Sequence, residues 1–172
     1  MEKIMFNDKY GLTQAVLEGR KTMTRRVMVT QPSWVSGDGR IVQDCLPPKF
    51  RVGDILAVAQ SYKDVMEEMG VDGSVHPLVA KPGYRNKMFV RADKMPHHIR
   101  IVDVRAERLQ DISDEDCLRE GVSESLFLDH ADKDGVPFSP REAFAALIDK
   151  VCSAGTWERN PYVYVYSFEL IN

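Results

Sequence analysis

Between Glu18 and Arg26 the chain reads Glu-Gly-Arg-Lys-Thr-Met-Thr-Arg-Arg, which sets four cations (Arg20, Lys21, Arg25, Arg26) beside two hydroxyls (Thr22, Thr24). Guanidinium forks donate paired hydrogen bonds to phosphate or carboxylate, and an ammonium adds a point charge, so such a cluster can hold an anion. The same residues also suit a solvated strand edge whose charges block aggregation, and composition alone leaves the two readings level. The stretch lacks the glycine spacing of a P-loop or a dinucleotide fold, which disfavours nucleoside triphosphate hydrolysis.

Other chemistry-bearing residues are scattered. His76, the pair His97-His98 and His130 stand at no spacing that closes a zinc site with Cys45, Cys117 or Cys152, and neighbours on a strand point to opposite faces. No metal and no cofactor is expected. Three widely spaced cysteines suit reduced, buried thiols better than a disulfide framework. No Gly-x-Ser-x-Gly elbow is present, and Gly121-Val122-Ser123 reads as a helix end.

The elements that must position these residues follow from patterning. A first helix is expected across Phe6–Gly19, capped at Asn7 or Asp8 and stopped by Gly19. A strand over Lys21–Val29 leaves it, because β-branched residues rise there. Ile55-Leu56-Ala57-Val58-Ala59 is a continuous apolar run suited to a central strand, and further strands are expected at Lys87–Ala92 and Ile99–Leu109. Ser113 followed by Asp114, Glu115 and Asp116 starts a helix that Gly121 ends. Ser139-Pro140-Arg141-Glu142 has the capping-box pattern of a second. The aromatic and β-branched run Tyr162–Leu170 reads as a long terminal strand. Two stretches rich in proline and glycine, 31–51 and 70–86, exceed ordinary connections and read as long loops. The pattern predicts an α+β fold: a mixed, barrel-like sheet with about three helices.

The chain has 172 residues, of which 44% are hydrophobic and 28% charged, as expected of one domain spanning 1–172 with a sizeable core. Lys and Arg total 23 against 26 Asp and Glu, a net charge of −3. That excludes a uniformly basic nucleic-acid coat but leaves room for a local basic patch, since 20–26 carries no acid while 111–124 is rich in them. No apolar run approaches the roughly 18–20 residues of a membrane span, and the N-terminus lacks a signal-peptide profile, so a cytoplasmic protein without membrane contact is expected.

Ile4-Met5-Phe6-Asn7, Val16 through Arg26, Gly53-Asp54-Ile55-Leu56, Glu107 through Asp116 leading to Arg119-Glu120-Gly121-Val122, and Trp157-Glu158-Arg159-Asn160-Pro161-Tyr162-Val163 together resemble the ASCH domain family. The similarity is greatest to its phage- and prophage-associated bacterial members and runs nearly the full length in the same order. It implies a PUA-like β-barrel with helices at its openings, a fold associated with RNA binding and modified nucleosides. One small bacterial member of the family is an amidohydrolase that removes the acetyl group from N4-acetylcytidine with a lysine, a threonine and a glutamate. The Gly-Arg-Lys-Thr-x-Thr motif of that protein matches Gly19–Thr24 and carries its lysine and threonine onto Lys21 and Thr24; the glutamate maps onto Glu120, just before Gly121.

Three functions are therefore expected in order. The first is binding of RNA or of a modified nucleoside or nucleotide in a basic cleft lined by Arg20, Lys21, Thr24, Arg25 and Arg26, with Tyr62 as an aromatic face for stacking a base, worth about 1–3 kcal/mol. The second is an amidohydrolase in which Thr24 attacks, Lys21 takes its proton with a lowered pKa, and Glu120 orients the pair or handles the leaving amine. The third is a phage-related interaction module. Catalysis carries a geometric condition: positions 21 and 24 face opposite sides of a regular strand, so a bend or bulge must intervene. The chain also departs from its nearer relatives, which tend to show tryptophan-valine-arginine-glutamate and then an aromatic after Gly-Asp, where Ala57-Val58-Ala59-Gln60-Ser61-Tyr62 stands here.

Overall fold

A computed structural model of the chain describes residues 1–40, 45–73, 76–123, 134–136 and 138–171. Its strands are β1 (Glu2–Ile4), β2 (Met23–Val27), β3 (Ile55–Val58), β4 (His98–Arg108) and β5 (Tyr162–Leu170). They form one sheet in the order β1-β3-β4-β5-β2. β1 runs parallel to β3, and every other pairing is antiparallel. The sheet is mixed, as the pattern predicts, but open: β1 and β2 are its two edges, and no pairing among the described residues closes it into a barrel.

β5 lies between β4 and β2, and its residues Val163 to Phe168 are all buried. Buried side chains on both faces explain why this strand reads as a continuous apolar and aromatic run rather than an alternating one. Phe168 packs on Phe6, and Tyr166 meets Phe50 edge-on. Ile99 and Ile101 on β4, Met23 on β2 and Val16, Phe144 and Leu147 complete the same core.

Five helices lie among the described residues, against about three expected: α1 (Leu12–Leu17), α2 (Tyr62–Glu68), α3 (Asp114–Arg119), α4 (Pro140–Val151) and α5 (Thr156–Arg159). The caps of α3 and α4 sit where the sequence puts them. Ser113 accepts from the Asp116 amide, and Ser139 and Glu142 form a reciprocal capping box. The first helix is shorter than Phe6–Gly19: a single-turn 3-10 segment, Asp8–Tyr10, ends at Gly11 (φ 66°), which restarts the chain as α1. α2 was hidden behind the apolar run before it, although Ser61 and Asp64 form a second capping box.

The strand expected at Lys87–Ala92 is absent; 3-10 turns occupy Lys87–Phe89 and Ala92–Lys94 instead. Asn86 caps the first of these through the Met88 amide, Lys87 donates to the Phe6 carbonyl and Asp8, and the Lys3 ammonium gathers the carbonyls of Lys87, Met88 and Val90. The loop 70–86 also holds 3-10 turns, at Pro77–Ala80 and Pro82–Tyr84. Parts of both long loops, together with Glu124 and His130, lie outside the described residues. The three cysteines are free, but only Cys117 is buried; Cys45 is half-buried and Cys152 is exposed. Among the described residues no helix is long and apolar enough to cross a membrane.

Candidate active site

Lys21 is not on a strand. Gly19 adopts a positive φ of 72°, and the amides of Arg20 and Lys21 both donate to the Ala15 carbonyl at 2.9 Å. These two hydrogen bonds to one acceptor turn the chain tightly off the end of α1 before β2 begins at Met23. Strand alternation therefore does not govern Lys21, which lies in the segment between this turn and β2. The Thr22 amide then donates to the Arg119 carbonyl at 2.9 Å, tying the start of β2 to the end of α3.

Glu120 is the C-cap of α3, and Gly121 behind it takes φ 88°. A Cβ at Gly121 would lie 3.1 Å from the Lys21 Cβ and 3.3 Å from the Ala15 Cβ. Glycine is therefore required both for its backbone conformation and for the close approach of Lys21 to this helix end.

The approach buries an ion pair. Lys21 and Glu120 are 2% and 4% exposed, and Lys21 Nζ lies 2.6 Å from Glu120 Oε2. The ammonium also donates to the carbonyls of Met23 (2.8 Å) and Glu120 (2.7 Å), so its three protons are all engaged. Burial pushes the Lys21 pKa below the ordinary lysine value; Glu120 opposes that shift, while Arg26 and Arg25 reinforce it.

The other oxygen of Glu120, Oε1, accepts from Arg25 Nη1 at 3.2 Å. Arg25 is 5% exposed, and its guanidinium also meets Glu107 at 2.6 Å and Asp116 at 2.9 Å. Register explains the convergence. Arg25 and Arg105 both pair with Val165 from opposite sides, so they share a face of the sheet, and each reaches Asp116 Oδ2 at 2.9 Å. Three cations, Lys21, Arg25 and Arg105, thus face three carboxylates, Glu107, Asp116 and Glu120. Charges this buried persist because they are paired and hydrogen-bonded.

Beside the pair lies a cavity of about 100 Å³. Lys21, Thr24 and Glu120 all line it, with Phe6, Phe144 and Leu147 among its apolar walls. Thr24, 5% exposed, is also buried. The three residues assigned by resemblance therefore line one cavity, with Lys21 bonded to Glu120 and Met23 rather than to Thr24.

The expected binding residues divide. Arg26 lines the cavity and donates to the Met5 carbonyl at 2.7 Å. Arg25 borders it with its charge already shared among three carboxylates. Arg20 does not line it; it is exposed and paired with Glu18. Tyr62 does not line it either: it opens α2 and packs against a separate apolar cluster of Ala57, Ala59, Val90 and Met95. The acids that neutralise the basic stretch, Glu107 and Asp116, were missed by sequence reading as site residues. The signal for Asp116 was the second charge block, 111–124, which complements 20–26; Glu107 lies outside that block, on β4.

His97 meets Glu68 at 2.5 Å, away from this cavity, and among the described residues no three His, Cys, Asp or Glu side chains converge as a metal site would require. In comparisons with known proteins, no family model, curated protein or solved structure matches this chain.

Proposed function

We propose that this cavity is the acyl site of an amidohydrolase acting on short N-acyl groups carried by a nucleobase-type amine, N4-acetylcytidine being the test substrate. The observation that carries the reading is the buried Lys21–Glu120 contact of 2.6 Å on a cavity that Thr24 also lines. The match of Gly19–Thr24 to the ASCH motif supports it. A PUA-like relationship is part of the same proposal and rests on motif order, since the described sheet is open.

Thr24 Oγ1 attacks the acyl carbon, forming a C–O bond, as its proton passes to the free amine of Lys21. The tetrahedral intermediate collapses by breaking the C–N bond, and the Lys21 ammonium returns that proton to the leaving amine. Water then cleaves the acyl-threonine ester in the same sequence, releasing a carboxylate, a proton and the restored hydroxyl. Lys21 acts as a base only as the free amine, which its depressed pKa favours. The cavity, at about 100 Å³, is well below the roughly 300–1,000 Å³ of pockets that enclose a whole drug-sized ligand. It suits the acyl end, with the base and sugar outside.

Incubation with N4-acetylcytidine, followed by chromatography for cytidine and acetate, tests the reading. Release of both, lost in Lys21→Ala and Thr24→Ala, is expected. Full turnover in either variant refutes the residue roles, and no turnover refutes the activity.

One observation favours a second reading, binding of a modified nucleoside without turnover: the Lys21 ammonium already spends its three protons on protein acceptors. Saturable binding of N4-acetylcytidine by calorimetry with no product formed would select it.

A further inference from the structure

Arg25 is too deeply engaged to be an anion-binding residue, and its placement points to a different role. When Lys21 gives up its proton, Glu120 would become a lone anion that is 4% exposed, an expensive state in a low-dielectric interior. The Arg25 contact to Glu120 Oε1 at 3.2 Å prevents this, because the carboxylate keeps a fixed cation whether or not Lys21 is charged. Arginine suits the task, since its guanidinium does not deprotonate in proteins. The remaining donors of the fork go to Glu107, Asp116 and the Met23 sulfur, which lock the side chain against Glu120.

We infer that Arg25 is a positioning residue: it fixes Glu120 Oε1, leaves Oε2 for Lys21, and makes the uncharged form of Lys21 tolerable in the buried pair. The inference rests on the amidohydrolase reading for its catalytic meaning, but not for its test. The charged groups around Lys21 are Glu120 from the end of α3 and Arg25 and Arg26 from β2, with the Phe6 ring at 5.7 Å. The part of α4 that lines the cavity contributes Phe144, Leu147, Ile148, Val151 and then Cys152, none of them basic or acidic at neutral pH. Arg25 itself faces Glu107 and Arg105 on β4 and Asp116 on α3.

Two substitutions separate electrostatic control from simple loosening. Arg25→Gln removes a cation near Lys21 and leaves Glu120 dependent on the lysine, so the lysine holds its proton more tightly. Glu107→Gln removes an anion from the guanidinium, so the field of Arg25 is less offset and the lysine releases its proton more easily. A loosened network would admit water and move both variants the same way. The experiment follows the Lys21 side chain by NMR titration of its ε-methylene and Nζ signals in the folded wild-type and variant chains, assigned through Lys21→Met, alongside the pH profile of kcat/KM on N4-acetylcytidine.

The expected result is a Lys21 titration moved to higher pH by Arg25→Gln and to lower pH by Glu107→Gln. The acidic limb of the rate profile moves with it, by roughly tenfold in rate for each unit of displacement. Titrations that stay in place, or move in the same direction, overturn the inference. If Arg25→Gln does not fold, Glu107→Gln alone decides, since a shift upward or no shift overturns the assignment. Opposite NMR shifts in the two variants, with no hydrolysis by the wild-type chain, refute the amidohydrolase reading and leave the positioning role standing.

Discussion

Replacing Glu120 by glutamine tests the buried pair directly. Glu120 is the carboxylate that faces Lys21, at 2.6 Å, and it also faces Arg25 at 3.2 Å. Removing one partner of a buried ion pair costs about 3–5 kcal/mol, because the other charge is left unpaired. For a domain of this size each kcal/mol shifts Tm by roughly 2–4 °C, so Glu120→Gln should lower Tm by about 6–20 °C near neutral pH. Lys21→Met should cost less, since Glu120 keeps Arg25 while the stranded lysine of Glu120→Gln keeps only carbonyls. The double variant should recover about 2 kcal/mol of the Glu120→Gln loss.

The pH dependence has a definite sign. Burial holds the folded-state pKa of Lys21 below the unfolded value of 10.5. Between the two values the unfolded chain binds more protons, so stability rises with pH across that window. Glu120→Gln removes the attraction opposing the depression and extends the window downward, so its deficit should be largest near neutral pH and should shrink as pH approaches that of free lysine. Urea denaturation followed by circular dichroism at pH 7 and pH 9.5 measures both effects. A Glu120→Gln chain within about 1 kcal/mol of wild type at pH 7 would refute the reasoning, as would a deficit that grows with pH.

Gly121→Ala should destabilise by about 1–3 kcal/mol in the same assay, because it combines φ 88° with a methyl 3.1 Å from the Lys21 Cβ. Ser139→Ala removes half of the capping box on α4 and should cost about 1 kcal/mol, read as a shift in urea midpoint with an unchanged slope. Burial raises the Cys117 thiol to about 12, so in the folded chain at pH 8 a thiol reagent should label exposed Cys152 and leave Cys117 unmodified until denaturant is added.

Where local chemistry alone sets an element, the sequence is readable. The caps at Ser113 and Ser139 depend on residues three positions apart, and the terminal strand depends on its own β-branched and aromatic run. Lys87–Ala92 failed because distant contacts bear on it: the Lys3 ammonium takes the carbonyls of Lys87, Met88 and Val90, and no local pattern encodes that. Barrel closure failed for a related reason, since β1 spans only Glu2–Ile4 and pairs with β3 alone. At the site, Lys21, Thr24 and Glu120 came from resemblance, and the turn at Gly19 that precedes the Lys21–Glu120 contact is visible as a glycine after a helix. The loss of free cations to Glu107 and Asp116 was not visible, because it depends on Arg25 and Arg105 sharing Val165 in the sheet register. Tyr62, expected as a stacking face of the cleft, instead opens α2 behind the Ser61–Asp64 capping box and packs on a separate apolar cluster.

That loss of cations yields a quantitative expectation for nucleic acid. Binding to single-stranded RNA should lose affinity with salt at a log–log slope of about −0.7 per phosphate neutralised. Four free cations in 20–26 would give a slope of about −2.8 from this region. Lys21 and Arg25 are instead 2% and 5% exposed and held by carboxylates, which leaves Arg20, in an exposed pair with Glu18, and Arg26. Two cations set a ceiling of about −1.4 for this region. Surface cations elsewhere add a background that comparison of variants removes. Arg26→Gln should make the fitted slope shallower by about 0.7, and Lys21→Met, checked for folding by circular dichroism, should leave it unchanged. Fluorescence anisotropy with a short labelled RNA between low and moderate salt supplies both slopes. A Lys21→Met slope shallower by the same amount as Arg26→Gln would mean that the lysine leaves Glu120 for phosphate, and the buried pair would then be a resting state that polyanions open.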